Sequence, residues 1–171
     1  DNAVTAITAC HELLGETIAQ EKIQEALDRF FWSGRMEVLA ENLVIDGAHN
    51  ESAIERFAES VNACYPDKKK TLLFAVAGDK DYEPMIDTLV AELEMEAVYV
   101  TSLDSVRAIS AEYIAALFRQ AIKKYGHTTH VYAEDDIRSC FTQAYTSIDP
   151  ENGMLFCVGS LYLIGKIKDI A

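Results

Sequence analysis

Residues 71–93, TLLFAVAGDKDYEPMIDTLVAEL, decide how the rest of the chain is read. From Leu72 to Ala77 no polar residue interrupts the run, as expected of a strand covered by helices on both faces; a strand with one wet face would alternate. A Gly-Asp-Lys-Asp turn follows, and from Tyr82 the apolar residues Met85, Ile86, Leu89, Val90 and Leu93 return at helical spacing. The same strand-turn-helix unit repeats on either side. Further strands are expected at Leu43–Asp46, Ala97–Thr101, Thr129–Tyr132 and Met154–Val158, and helices at Ser52–Cys64, Ala111–Lys124, Asp135–Ser147 and Leu161–Asp169. An extra strand at Met36–Leu39 either pairs at the sheet edge or forms a hairpin with Leu43–Asp46.

This alternation predicts an α/β fold, a three-layer doubly wound and mostly parallel sheet. Ligands of such folds gather at the carboxyl ends of the strands. Those ends read DGAHN (46–50), AGDKD (77–81), TSLDSVR (101–107) and VGS (158–160). Residues 1–30 stand outside the alternation. Val4, Ile7, Cys10, His11 and Leu14 share one helical face, and Ile18–Phe30 forms a second amphipathic helix. They are expected to be the tail of a preceding domain or a linker, with residues 31–171 forming the α/β domain.

Half of the 171 residues are hydrophobic and a quarter are charged, enough to build a sizeable core. With 28 acidic against 15 basic side chains the net charge is −13, a field that repels phosphate backbones and argues against a nucleic-acid partner. No run approaches the roughly 18 apolar residues of a membrane span, and the start lacks a basic signal-peptide region, so a cytoplasmic protein without a membrane partner is expected. Any phosphate-bearing ligand must therefore be met by a few local groups, which makes Arg35, His49 and Lys80 worth following. The four cysteines form no CxxC pair, and three stand in apolar surroundings, which predicts reduced, buried thiols rather than a disulfide frame or a metal site.

Within DGAHN, Asp46 falls at the rim of the sheet, Gly47 is free to take a positive φ, and Asn50 or Ser52 can cap the next helix. A capped turn needs no ligand. Yet Asp46 and His49 both stand beside a helix N-terminus whose free N–H groups attract anions. Eleven residues before Asp46, Arg35, preceded by Gly34, presents a planar fork of donors suited to carboxylate or phosphate, unless it simply pairs with Glu37 or Glu41. In the second strand end, Asp81 is placed to cap the Tyr82 helix, and Lys80 is either a solvated ion pair or a ligand contact. Ser160 is a natural N-cap of the last helix. There is no GxGxxG, no GxxxxGK[ST] and no GxSxG in the sequence, so the residues alone reach only as far as an α/β domain that lends an Arg, an Asp and a His to an anionic ligand.

The set W-x-G-R-x-E (32–37), V-I-D-G-A-H-N (44–50), G-D-K-D (78–81) and G-S-L-Y-L-I-G (159–165) closely resembles the C-terminal domain of folylpolyglutamate synthases, often bifunctional with dihydrofolate synthase. More distantly it is similar to the third domain of the Mur peptidoglycan ligases, with a Rossmann-like fold. The resemblance implies an ATP-dependent ligase that phosphorylates a folate or pteroate carboxylate and joins L-glutamate to it. It places the P-loop, the magnesium ligands and most of the folate pocket in an upstream ATPase domain in cis, so that this piece alone would be inactive. It also implies that Arg35 and Asp46 contact ATP and that His49 lies near the phosphates or the incoming glutamate; no metal ligand is expected here. Two positions depart from the pattern: Ser33 and Glu51 stand where the family usually has Pro. Mur counterparts usually carry Tyr where this chain has Gly47, which favours folate. The alternatives are a Mur-type amino-acid ligase domain and a non-catalytic flavodoxin-like binding module.

Overall fold

The computed structural model describes residues 2–15 and 18–171, and the chain divides into two compact units, Asp1–Ser33 and Gly34–Ala171. The first unit holds α1 (Asn2–Leu14) and α2 (Gln20–Asp28). Ala3, Ile7, Cys10, Ile23 and Leu27 line an apolar hollow of about 370 Å³ between these helices. Neither helix buries a residue, and Val4, Leu13, Leu14, Phe30, Phe31 and Trp32 are all exposed. The second helix is shorter than expected: Ala19 is extended at its start, and after Asp28 the chain leaves the helix through Arg29.

In the second unit the elements run β1 (Glu37–Ala40), β2 (Leu43–Ile45), α3 (Glu51–Cys64), β3 (Lys69–Phe74), α4 (Tyr82–Glu92), β4 (Met95–Val100), α5 (Ala111–Tyr125), β5 (His130–Ala133), α6 (Ile137–Ser147), β6 (Gly153–Val158) and α7 (Leu161–Ile170). The six strands order as β1-β2-β6-β3-β4-β5, with β1 antiparallel to β2 and every other pairing parallel. The apolar strands explain the layering. Val44, Leu72, Phe74, Val98, Phe156 and Val158 face α3, α4 and α5, while Leu43, Ile45, Leu73, Leu155 and Cys157 face α6 and α7. Successive side chains thus enter opposite cores, and neither face of the central strands can be polar. The result is the three-layer doubly wound sheet expected. The chain crosses β6 on its way from β2 to β3 and fills that gap last, which leaves a topological switch at the carboxyl ends of β2, β6 and β3.

Element edges differ from expectation for identifiable reasons. The strand expected at Thr71–Ala77 occupies Lys69–Phe74, because Lys69 and Lys70 pair with Gly153 and Met154 while β6 ends at Val158, to whose carbonyl Ala75 N–H makes a last, long bond at 3.4 Å. The strand expected at Thr129–Tyr132 occupies His130–Ala133, with the Thr129 hydroxyl donating to the Met95 carbonyl at 2.8 Å. Helix α6 begins at Ile137 rather than Asp135: Asp135 accepts the Ala111 N–H at 2.8 Å, and Asp136 caps by accepting from the Ser139 N–H at 2.7 Å. The expected edge strand forms the hairpin. All four cysteines are free, but only Cys140 and Cys157 are buried; Cys10, on α1, and Cys64, the last residue of α3, are exposed.

Candidate functional site

Strand β2 delivers Asp46 to the rim. Its N–H continues the ladder to the Cys157 carbonyl at 2.9 Å, and its side chain turns toward the start of β1. There one carboxylate oxygen, Oδ2, accepts the Met36 N–H at 2.8 Å and the other, Oδ1, accepts the Ala48 N–H at 2.8 Å. Arg35 Nη1 lies 3.7 Å from Oδ1, an ion pair too long to be a hydrogen bond. Asp46 is only 5% exposed, whereas the Arg35 side chain is 48% exposed. The carboxylate is therefore spent on holding the backbone, and the guanidinium keeps most of its donors for something outside the protein.

Two further bonds stitch the same rim: Gly47 N–H to the Gly34 carbonyl at 2.7 Å, and Gly159 N–H to the Ala48 carbonyl at 3.0 Å. Met36 sits at φ +42°, a left-handed conformation that costs a non-glycine residue about 1 kcal/mol or more, and the Asp46 carboxylate is the group that holds it there. The expectation for Gly47 needs correction. Its φ is not positive; what a Cβ there would meet is the exposed tip of Leu161, which must then shift, and the Gly34 carbonyl at 3.3 Å. Gly34 and Gly159 are the positions that take the left-handed conformation, at +72° and +111°.

His49 Nδ1 lies 2.7 Å from the Gly47 carbonyl. A carbonyl only accepts, so Nδ1 carries the proton, and in the neutral ring Nε2 is the basic nitrogen. The ring is partly exposed and stands at the entrance to α3, where Asn50 caps by accepting the Ala53 N–H at 2.9 Å. Arg35, Asp46 and His49 thus share one rim beside a helix N-terminus. Arg35 pairs with neither Glu37 nor Glu41: Glu37 is taken by Lys168 on α7, at 2.7 Å.

Lys80 stands exposed on the turn after β3 and, among the described residues, has no ion-pair partner. Its neighbour Asp79 instead takes Arg107, at 2.9 Å, and the Gly78 N–H donates to the Arg107 carbonyl at 2.9 Å, tying the loops after β3 and β4 together. Asp81 makes no side-chain cap on α4, contrary to expectation; its φ and ψ are −81° and 83°, away from the extended backbone of the capping residues Asn50 and Ser160. Ser160 does cap α7, accepting from Tyr162 N–H at 3.2 Å. Arg107 and Lys168 went unnoticed in the sequence, since their partners lie 28 and 131 residues away.

Among the described residues, no three or more His, Cys, Asp and Glu side chains are gathered to hold a metal ion. No helix among them is long and apolar enough to cross a membrane. A groove of about 800 Å³ lies at the other end of the sheet, lined by Lys69, Lys70, Glu96, His130 and Tyr132 among others, and contains none of the rim residues. The rim can do two things chemically: present a cation to an anion, and offer an imidazole nitrogen.

The family model described as Mur ligase, glutamate ligase domain, matches residues 34–161. The chain is similar to a Bacillus subtilis dihydrofolate synthase/folylpolyglutamate synthase, 28% identical over 98% of the chain and 37% of the relative. It is similar also to a Saccharomyces cerevisiae dihydrofolate synthetase, 23% identical over 90% of the chain and 38% of the relative. Its fold matches a solved Mycobacterium tuberculosis folylpolyglutamate synthase complexed with ADP and AMPPCP, with a TM-score of 0.81 at 20% identity, over 98% of the chain and 38% of that structure. The chain therefore spans under two-fifths of the length of each.

Proposed function

Because the chain belongs to the family of Mur ligase glutamate ligase domains, we propose that it is the closing domain of an ATP-dependent ligase that joins L-glutamate to a folate-type carboxylic acid. The observation that carries this reading is the half-exposed Arg35 guanidinium, whose ion-pair partner, Asp46, is already bonded to two backbone N–H groups. Likeness to folate-active relatives supports the substrate class, and the nucleotides bound to the M. tuberculosis structure support ATP. Gly47 also favours it over a Mur-type domain with Tyr there, since a side chain at this position would have to displace Leu161 and would press on the Gly34 carbonyl.

ATP, when bound, supplies the phosphoryl group that converts the carboxylate into an acyl phosphate open to attack by the glutamate amine. Arg35 meets charge on the phosphates, and preorganised cations of this kind act where charge develops in the transition state. Asp46 fixes the backbone on either side and orients Arg35, rather than meeting phosphate itself. His49, with Nδ1 committed to Gly47, directs Nε2 toward the phosphates or the incoming amine. Lys80 supplies a second, mobile cation from the β3 turn. Closure over the nucleotide would also exclude water that destroys an acyl phosphate.

The reading requires magnesium ligands and a P-loop, a motif that these 171 residues do not contain. We place both in an ATPase domain that precedes the chain in cis and packs on the apolar faces of α1 and α2, in a cytoplasmic enzyme. The test is ATP- and folate-dependent incorporation of glutamate by the protein carrying both parts, with ADP and phosphate released in equal amounts. No incorporation under conditions where the B. subtilis relative works would overturn the reading.

A further inference from the structure

Arg35 has no short side-chain bond of its own, so its placement must come from the backbone on either side. On one side Asp46 holds the Met36 N–H. On the other, Glu37 Oε2 accepts the Gly34 N–H at 2.6 Å. Glu37 is in turn gripped from α7, where Lys168 Nζ donates to its two oxygens at 2.7 and 3.0 Å. The Glu37 side chain is 10% exposed and that of Lys168 35%, so this pair is sheltered compared with the exposed ion pairs elsewhere on the chain. A three-residue turn bonded to a carboxylate at both ends, one of them tied to a helix, fixes the Cα–Cβ direction of the residue in the middle.

We propose that Glu37, held by Lys168, is a positioning residue: it sets the Gly34–Arg35 turn so that the Arg35 cation is presented to the phosphates, and it ties that placement to α7. The inference rests on the reading of Arg35 as the phosphate-facing cation. Glu37 touches no substrate; its charge is consumed by Lys168 and Gly34. A two-residue spacing from Arg35 suggests a direct pair, but the Gly34 turn and the hairpin send the two side chains to different partners.

The experiment uses the ligase with its ATPase domain present and compares wild type, Glu37→Ala, Lys168→Arg, Arg35→Ala and the Glu37→Ala/Arg35→Ala double variant. Small misplacements of a catalytic group cost on the order of 10² in rate. Glu37→Ala is therefore expected to lower kcat by roughly 10- to 100-fold, with the KM for glutamate within about 2-fold, and Lys168→Arg, which preserves the cation, should keep kcat within about 3-fold. In the Arg35→Ala background, Glu37→Ala should add less than about 3-fold, because both changes remove one function. Losses that multiply in the double variant, or a Glu37→Ala enzyme with unchanged kcat, would overturn the proposal. An inactive wild type would instead sink the ligase reading. Hydrogen exchange at the Gly34 amide gives a readout free of activity: faster exchange in Glu37→Ala supports the clamp, and unchanged exchange refutes it.

Discussion

Replacing Asp46 by alanine removes one buried carboxylate that satisfies two backbone donors, Met36 N–H and Ala48 N–H, each at 2.8 Å. Hydrogen bonds to charged groups contribute about 1.5–3 kcal/mol each, and a donor left buried without a partner costs a similar amount. Two such bonds give about 3–6 kcal/mol. Met36 would then be free to leave its φ of +42°, which returns about 1 kcal/mol, so a net loss of about 2–5 kcal/mol is expected. Asp46→Asn retains one carbonyl oxygen to accept from either amide but turns an NH₂ toward the other, so it should lose roughly half as much. Arg35→Ala, by contrast, removes a half-exposed partner at 3.7 Å and should cost less than about 1 kcal/mol. Urea unfolding of the 171-residue chain, followed by far-ultraviolet circular dichroism, measures all three. A loss below about 1 kcal/mol for Asp46→Ala, or an Asn variant no gentler than the Ala variant, would refute the claim that this carboxylate holds the rim together.

Gly47→Ala should cost about 1 kcal/mol and be relieved by Leu161→Ala, because the clash is with the end of an exposed, movable side chain; a loss that Leu161→Ala does not relieve would contradict this packing. Gly159→Ala should cost about 2–4 kcal/mol with no such rescue, since its φ is +111° and its Cβ would meet the Ala75 carbonyl at 2.5 Å; melting temperatures separate the two cases. Burial pushes the Cys140 thiol from its ordinary 9.0 up to about 12 and raises Cys157 as well, so a thiol reagent at pH 8 should find two fast groups, Cys10 and Cys64, and two that react only on unfolding. The unfolded chain releases these two protons near pH 9 while the folded chain keeps them, so stability should fall as pH climbs from about 9 toward about 12; a flat profile over that range would contradict the burial of these thiols.

The layering was legible because the strands TLLF and MLFCV carry apolar residues on both faces, a pattern that leaves few folds to choose from. Strand ends were not, because a strand stops where its neighbour stops: Ala75–Ala77 look like β sequence, but β6 ends at Val158 and its register with β3 ends at Phe74. At the rim, Arg35, Asp46 and His49 stood out as polar groups at strand ends, and the cap at Asn50 followed from its residue type. The reason for Gly47 was hidden, since the side chain it must admit, Leu161, belongs to α7. Glu37 was hidden in the same way: its partner comes from a helix 131 residues on, whereas Arg35 stands only two residues before it. Local chemistry names the residues of such a rim, and tertiary packing decides which of them hold the backbone and which face outward.

Glutamate incorporation in a single turnover by the two-part ligase, wild type against Arg35→Ala, measures the central claim most directly. The Arg35 cation is expected to stabilise transferring charge, so the variant should form product slower by on the order of 10² or more while its stability stays within about 1 kcal/mol of wild type. Equal rates for the two proteins would show Arg35 to be no more than a surface partner of Asp46, and the rim would lose its claim to the nucleotide.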